Sequence, residues 1–223
     1  LVAGGESVVA VMTALRAVLE RYGLPMALYT DRARWATYTP TSGTNPDRSK
    51  LTQVGRALHR LGIEHILGYS PQARGRSERV NRTLQDRLVN ELRVAGIHTV
   101  PGANRYLRER FLPAFNTEFG CTPTDPTPAF VPLGRCDLEQ ILCHEEERVV
   151  ALDNTIRLDG IVLQLAKHRG RRSCAGLRVL LRRHLDGHHS VWWGPRCLGH
   201  FSPSGQPSSL TTPAGAPSLR AAN

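Results

Sequence analysis

The segment MALYTD, residues 26–31, decides the fold, because a short apolar run that stops at an acidic residue is typical of a buried strand followed by a loop. Upstream of it, apolar residues from Val8 to Leu19 recur on one helical face, and Gly-Leu-Pro at residues 23–25 predicts the end of that helix. Downstream, residues 32–48 are rich in Thr, Ser, Gly, Asn and Pro and predict a mobile loop.

The same alternation continues after this loop. Ser49 can cap a second helix that ends at Gly62, and residues 63–67 predict a second strand. Residues 68–75 are turn-rich and lead into a long helix that ends near residue 96. A further helix spans about residues 103–119, with a bend at a proline. Strand and helix in this order favour an α/β layer over a helical bundle.

Residues after 119 form two further regions with different sequence patterns. A rigid extended linker is predicted by Pro123, Pro126, Pro128 and Pro132. The hydrophobic period then becomes two, with turns at Asp159-Gly160 and Asp186-Gly187, which predicts a small all-β, barrel-like domain. The predicted strands are residues 148–152, 155–158, 161–165, 177–182, 190–193 and 196–201. The predicted organisation is an α/β domain at residues 1–133, a linker at 134–145, a β domain at 146–201 and a disordered tail at 202–223.

Composition narrows the function classes. The 223 residues carry a net charge of +10, and 27 of the 29 basic residues are arginine, which favours a polyanionic partner. The alternative is only a soluble basic surface. No apolar run approaches the roughly 20 residues of a membrane span. Five cysteines without a CxxC pair favour reduced thiols over a disulfide framework or a zinc knuckle.

The helix after residue 75 places an acid at the margin of its apolar face. At 100° per residue, Glu78 lies at the edge of the stripe formed by Val80, Leu84, Leu88 and Leu92. A carboxylate there can face a cleft while packing anchors its helix. The alternative is an exposed glutamate that pairs with Arg82 at i+4.

Asp31 is the second candidate, because an acid at the carboxyl end of a strand lies where α/β sheets hold ligands. The alternative is a turn residue or a local cap. With Glu78 it could hold a hard cation such as Mg²⁺ beside phosphate, which takes oxygen ligands. The neighbouring cations are Arg32, Arg34, Arg74, Arg76, Arg79 and Arg82.

A second basic cluster lies in the β domain. Seven cations fall within 17 residues without an acid: Lys167, Arg169, Arg171, Arg172, Arg178, Arg182 and Arg183. They favour contact with phosphate groups, the alternative being a solvated loop and strand face; seven phosphate contacts would give a salt slope of roughly −6. Trp192 and Trp193 should point to opposite faces, which leaves core packing and base stacking both open. Histidines near residue 187 are expected to be solvated rather than metal ligands.

Four segments together resemble the integrase core of bacterial insertion-sequence transposases of the DDE type, and the ISNCY group in particular. They are YTDR at residues 29–32, TQVGRAL at 52–58, LGI at 61–63 and SPQARGRSERVNRTLQ at 70–85. The resemblance covers about residues 7–133, and the β domain resembles that family's C-terminal region. In this family context, the seven cations of the β domain are expected to contact the DNA backbone.

The resemblance implies an RNase H-like fold and an Asp–Asp–Glu triad that binds two Mg²⁺ or Mn²⁺ ions. Asp31 matches the second acid and Glu78 the third, while Asn81 and Arg82 match the flank that contacts DNA or orients the glutamate. Members of the family cleave DNA and transfer strands, bind transposon ends and target DNA, act as homo-oligomers and are cytoplasmic, nucleoid-associated bacterial proteins.

The first acid of the triad has no match in the sequence, because only seven residues precede the first predicted helix and Glu6 is a poor substitute. We therefore expect a truncated RNase H-like layer, an incomplete metal site and little or no strand transfer. The alternative function is a non-catalytic DNA-binding protein. The strand at residues 26–30 would also present an unpaired apolar edge, which predicts self-association or weak solubility.

Overall fold

In the computed structural model the described residues are 7–39, 47, 49–68, 71–166 and 173–208, and the side chains of residues 71–74 and 76 fall outside the description. The chain divides into two compact units, Leu1–Gly134 and Arg135–Asn223. The first unit is mixed α/β and the second consists mainly of antiparallel strands. The two units are described separately.

Helix α1 (Val8–Tyr22) has the predicted bounds. The Ser7 hydroxyl accepts the Ala10 N–H at 3.2 Å, and Gly23 ends the helix at φ +94°. Strand β1 (Leu24–Pro25) follows and pairs antiparallel with β4 (Phe130–Val131). The proline-rich segment that the sequence predicts as a linker therefore returns to the end of α1.

The predicted strand–helix–strand unit is confirmed. Strands β2 (Ala27–Thr30) and β3 (Glu64–Leu67) pair in parallel, and α2 (Gln53–Arg60) lies between them in the chain. Among the described residues β2 pairs with β3 alone, so self-association through its other edge stays a prediction. Residues 40–46 and 48 of the predicted loop lie outside the described residues.

The predicted cap of α2 is wrong. Thr52, not Ser49, is the N-cap, and its hydroxyl accepts the Gly55 N–H at 3.0 Å. Ser49 instead lies in a turn in which the Asp47 carboxylate accepts both its N–H and its hydroxyl. The aspartate two residues upstream competes for the serine and moves the helix start by three residues.

Helix α3 (Pro71–Val94) begins earlier than predicted, so that Gly75 lies inside it. A proline at the first helical position is favourable because its missing N–H would have no intrahelical partner there. The predicted apolar stripe is only half-buried, and Val80 is 46% exposed. Helix α3 therefore presents a partly exposed apolar face.

The next helix is interrupted near the predicted bend. It consists of α4 (Val100–Tyr106), a π-helical turn (Leu107–Phe111) and α5 (Leu112–Phe119). Pro113 cannot donate a hydrogen bond to the preceding turn, which accounts for irregular bonding immediately before it.

The second unit contains an open five-stranded antiparallel sheet and a separate hairpin rather than a closed barrel in the described residues. The sheet order is β11-β10-β9-β8-β5, and the hairpin consists of β6 and β7. The strands are β5 (His144–Val149), β6 (Thr155–Leu158), β7 (Ile161–Gln164), β8 (Arg178–Arg183), β9 (His189–Trp193), β10 (Arg196–Phe201) and β11 (Pro207–Ser208). Both turns predicted from Asp-Gly pairs are present, and Asp159 and Gly160 have positive φ angles of 45° and 83°.

Two boundaries differ from the prediction. Residues 134–145, predicted as a linker, contain helix α6 (Leu138–Ile141), capped by Asp137, and the first residues of β5. The strand predicted at 148–152 starts four residues earlier, and its first four residues are the polar sequence HEEE, which hides the strand from a hydrophobic pattern. At the C-terminal end, β11 lies within the predicted tail, and residues 209–223 lie outside the described residues.

No helix in the described part of the chain is long and apolar enough to cross a membrane.

Candidate active site

A groove of about 1010 Å³ runs along α1, β2 and α3 in the first unit. Asp31 lines it from the carboxyl end of β2, and Glu78 lines it from α3. The two acids are separated by 46 residues in the sequence, and the β2–α2–β3–α3 order brings them to one groove. Val11, Leu15 and Val18 of α1 line its apolar part.

Asp31 has a local role as well as a place in the groove. Its side chain is half-buried, and Oδ1 accepts the Ala33 N–H at 3.1 Å. The local cap that the sequence offers as an alternative is therefore present. This bond fixes the carboxylate at the mouth of the loop, and the two interpretations are compatible.

The residues that flank Glu78 lie on the exposed part of α3. Glu78, Arg79, Asn81 and Arg82 are all exposed, and Asn81 lines the same groove. Arg32 and Arg34 are exposed in the loop after Asp31, whereas the side chains of Arg74 and Arg76 lie outside the described residues.

Two further groove residues were missed by sequence reasoning. Trp35 is half-buried and lies four residues after Asp31, and Ser77 is exposed immediately before Glu78. Their proximity to the two acids in the sequence is the only signal that could have identified them. Trp35 adds an aromatic surface to the mouth of the groove, and Ser77 adds a hydroxyl oxygen.

The donor atoms of the groove suit a hard cation. Asp31 and Glu78 offer carboxylates, while Ser77 and Asn81 offer neutral oxygens, and Mg²⁺ and Mn²⁺ prefer such ligands. Across residues that the structure describes, no group of three or more His, Cys, Asp and Glu side chains is placed to hold a metal ion. A cation held by these two carboxylates would need further ligands from outside this set.

Three cations of the predicted DNA-binding cluster lie on β8 and form ion pairs across the sheet. Arg182 contacts Glu145 at 2.9 Å, with side chains only 14% and 6% exposed. Arg183 contacts both Glu146 at 3.2 Å and Asp159 at 2.9 Å, and Arg178 contacts Glu147 at 3.6 Å. Lys167, Arg169, Arg171 and Arg172 lie outside the described residues. Phosphate contacts from β8 would compete with these carboxylates.

The two adjacent tryptophans differ as the alternation predicts. Trp192 is half-buried, its Nε1–H donates to the Ser190 hydroxyl at 2.9 Å, and the Arg182 guanidinium lies 5.0 Å from its ring centre. Trp193 is 40% exposed. Trp192 therefore belongs to a buried polar network, while stacking on a base stays open for Trp193.

The histidines near the β8–β9 turn are less solvated than expected. His184 and His189 are each 5% exposed, and His184 Nε2 lies 2.8 Å from the Ser190 hydroxyl. Burial lowers the pKa of His189 and of His200, which disfavours their charged forms.

A smaller cleft of about 330 Å³ in the second unit contains two arginines that the sequence did not single out. Arg148 of β5 and Arg157 of β6 both line it, and both are exposed. Arg157 is the one exposed residue of its strand, TIRL, which is the signal that could have drawn attention to it.

Comparison with known proteins relates most of the chain to transposases. It is 33% identical over 200 residues to the Sinorhizobium fredii (strain NBRC 101917 / NGR234) protein y4bF, which carries the name of a transposase; the match covers 89% of this chain and 42% of the relative. It is 39% identical over 106 residues to the transposase for insertion sequence IS1202 of Streptococcus pneumoniae, covering 48% of this chain and 23% of the relative. Both relatives are named as transposases. The chain spans less than half the length of either, and no protein-family model matches it.

Proposed function

We propose that this chain is part of a DNA transposase of the DDE type and contributes two metal-binding carboxylates, Asp31 and Glu78, to its catalytic core. The observation that carries the proposal is that both acids line one groove although 46 residues separate them in the sequence. Similarity to two relatives named as transposases supports the same function class.

The integrase-core and RNase H-like parts of the proposal rest on local topology and motif. A parallel β2–β3 pair with α2 between them, followed by α3 with the motif SERVNRTLQ, is compatible with such a layer. The ISNCY-like assignment rests on the motif alone.

The residues of the groove have distinct proposed roles. Asp31 and Glu78 hold the cation, and Ser77 and Asn81 offer neutral oxygens beside it. A bound divalent cation supplies Lewis-acid polarisation of a phosphodiester and lowers the pKa of the attacking water or hydroxyl. Arg79 and Arg82 on the exposed face of α3 would contact DNA phosphates. The proposed partners are transposon ends, target DNA and further copies of the chain, in the bacterial cytoplasm at the nucleoid.

Asp31 and Glu78 match only two of the three acids of the triad. We therefore propose that this polypeptide alone has little or no strand-transfer activity. A strand-transfer assay on labelled terminal-repeat DNA with Mg²⁺ or Mn²⁺ tests this. Turnover comparable to that of a full-length relative would refute it.

Titration with Mn²⁺ tests the metal site directly. Wild type should bind the ion, and Asp31→Asn and Glu78→Gln should each weaken binding by about 10-fold or more, since each removes a charged ligand. Asp86→Asn is the matched control, because Asp86 is exposed on the same helix and does not line the groove. Equal binding by all four proteins would exclude a shared site.

A DNA-binding assay, combined with the metal titration, distinguishes a transposase from a non-catalytic DNA-binding protein. A non-catalytic DNA-binding protein would bind duplex DNA with strong salt dependence and show no metal binding that depends on Asp31 or Glu78. Seven phosphate contacts give a slope of roughly −6 for log affinity against log salt concentration. Fewer phosphate contacts, and a smaller slope, are expected because three of the seven cations form ion pairs on β8. A slope near zero would show that the basic cluster does not contact DNA phosphates.

A further inference from the structure

A polar contact joins the two parallel strands directly below Asp31. The Thr30 hydroxyl of β2 lies 2.8 Å from His65 Nε2 of β3. Thr30 is 9% exposed and His65 is half-buried, so this contact is largely shielded from water. Thr30 is the last residue of its strand, and Asp31 follows it immediately.

The hydrogen positions follow from counting donors. The Thr30 hydroxyl has one hydrogen and lies 3.0 Å from the Asp31 carbonyl oxygen, to which it donates. It can then only accept from His65, whose Nε2 must carry a hydrogen. Burial lowers the pKa of His65, so the imidazole is neutral near pH 7 and places its single N–H on Nε2.

The chain of bonds ends at the aspartate. His65 holds Thr30, Thr30 holds the Asp31 carbonyl, and Asp31 Oδ1 is held in turn by the Ala33 N–H at 3.1 Å. Both the backbone and the side chain of Asp31 are thus fixed at the point where the strand opens into the loop. Such fixation increases the affinity of a carboxylate for a cation, because the side chain loses less conformational entropy when the cation binds.

We propose that His65 is a positioning residue for Asp31 and acts through the Thr30 hydroxyl. The inference rests on the proposed function, in which Asp31 is a metal ligand that must be oriented. His65 does not line the groove of Asp31 and Glu78; it lines a separate cavity of about 400 Å³ together with Tyr38 and Lys50. It would therefore act on Asp31 from outside the groove.

Four variants test the inference. His65→Leu and Thr30→Val each break the chain of bonds, whereas His65→Gln keeps an N–H donor close to the Nε2 position. His59→Leu is the matched control, because His59 is an exposed histidine on α2. The readouts are hydrogen exchange of the Ala33 amide in metal-free protein, Mn²⁺ affinity and thermal unfolding.

We expect His65→Leu and Thr30→Val to raise Ala33 exchange by about 10-fold, the equivalent of one lost hydrogen bond, and to weaken Mn²⁺ binding several-fold. His65→Gln should restore both values to near wild type, and His59→Leu should change neither. Rescue by glutamine would not occur if the ring served only as packing.

The outcomes separate this inference from the proposed function. Unchanged Ala33 exchange in His65→Leu would overturn the positioning role, as would an equal rise at every amide of β2 and β3, which indicates general loosening. If Ala33 exchange rises selectively but wild type shows no Asp31-dependent Mn²⁺ binding, the positioning role holds and the metal site of the proposed function fails.

Discussion

The sheet of the second unit and the groove of the first unit differ in how they place acidic side chains. In the second unit, three consecutive glutamates of β5 each contact an arginine of β8, and the pair of Glu145 with Arg182 is almost fully buried. In the first unit, Asp31 and Glu78 line a groove together with polar and apolar neighbours. Removal of one partner from a buried ion pair is strongly destabilising, whereas carboxylates that line a groove are candidates for ligand chemistry.

The apolar side chains of the second unit are buried more completely than those of α3. Eleven buried residues from the strands and loops of the second unit form one hydrophobic cluster. In the first unit, α3 has no fully buried side chain among those described, and Val80 and Val89 are 46% and 49% exposed. The second unit therefore owes its stability to a closed core, while α3 is held by fewer contacts, such as the bond from Arg87 to Glu118 at 2.7 Å.

The largest expected effect concerns this difference in burial. Phe201→Ala should destabilise the second unit by about 3–5 kcal/mol, because Phe201 is 2% exposed and its removal leaves a cavity. Val80→Ala, at a half-exposed position of α3, should cost below about 1 kcal/mol. Urea unfolding followed separately by amide exchange in each unit measures both. Similar costs would contradict the contrast between the core of the second unit and α3.

The second prediction compares two neighbouring ion pairs. Glu145→Gln should destabilise the second unit by about 3 kcal/mol, because Arg182 is left nearly buried without its carboxylate. Glu147→Gln should cost below about 0.5 kcal/mol, since that pair has side chains 77% and 71% exposed. Denaturant midpoints of the two variants give the difference. Equal midpoints would mean that burial does not decide the strength of these pairs.

Periodicity and turn residues predicted most of the elements. Helix α1, the β2–α2–β3 unit and both Asp-Gly turns follow from local patterns, because their side chains are sorted by burial and their turns require positive φ angles. The start of β5 could not be predicted in this way. Its HEEE sequence is charged, and Glu145 is buried only because Arg182 lies opposite it in the register.

The site divides similarly into predictable and unpredictable parts. Strand-end position and motif predict Asp31 and Glu78 as site residues; both line the groove, and their role as metal ligands stays a prediction. The local sequence shows seven cations without an acid, because the glutamates that pair with the three arginines of β8 approach them only when β5 pairs with β8. His65 was not singled out, because its contact with Thr30 depends on the parallel pairing of β2 with β3.

The third prediction concerns backbone fit in the first unit, where β1 and β4 meet at the end of α1. Gly23→Ala should cost about 2–3 kcal/mol, because φ is +94° and an added Cβ would lie 2.3 Å from the Val131 carbonyl oxygen. Gly62→Ala is the control, at φ +68° with no atom within 4 Å of the added Cβ, and should cost about 1 kcal/mol. Thermal unfolding compares them. A smaller loss for Gly23→Ala than for Gly62→Ala would show that β4 moves away readily.

The smallest expected effect is a pH dependence of the second unit. Burial holds the pKa of His189 and His200 below the value in the unfolded chain, which is about 6.5. As the pH falls through that value, the unfolded chain takes up protons that the folded unit does not, so the free energy of unfolding decreases. We expect a lower urea midpoint at pH 5.5 than at pH 7.5.

His189→Asn keeps a donor for the Ser202 carbonyl and should reduce this difference, whereas the same change at the exposed His98 should not. An identical pH dependence in wild type and His189→Asn would assign the effect to other groups.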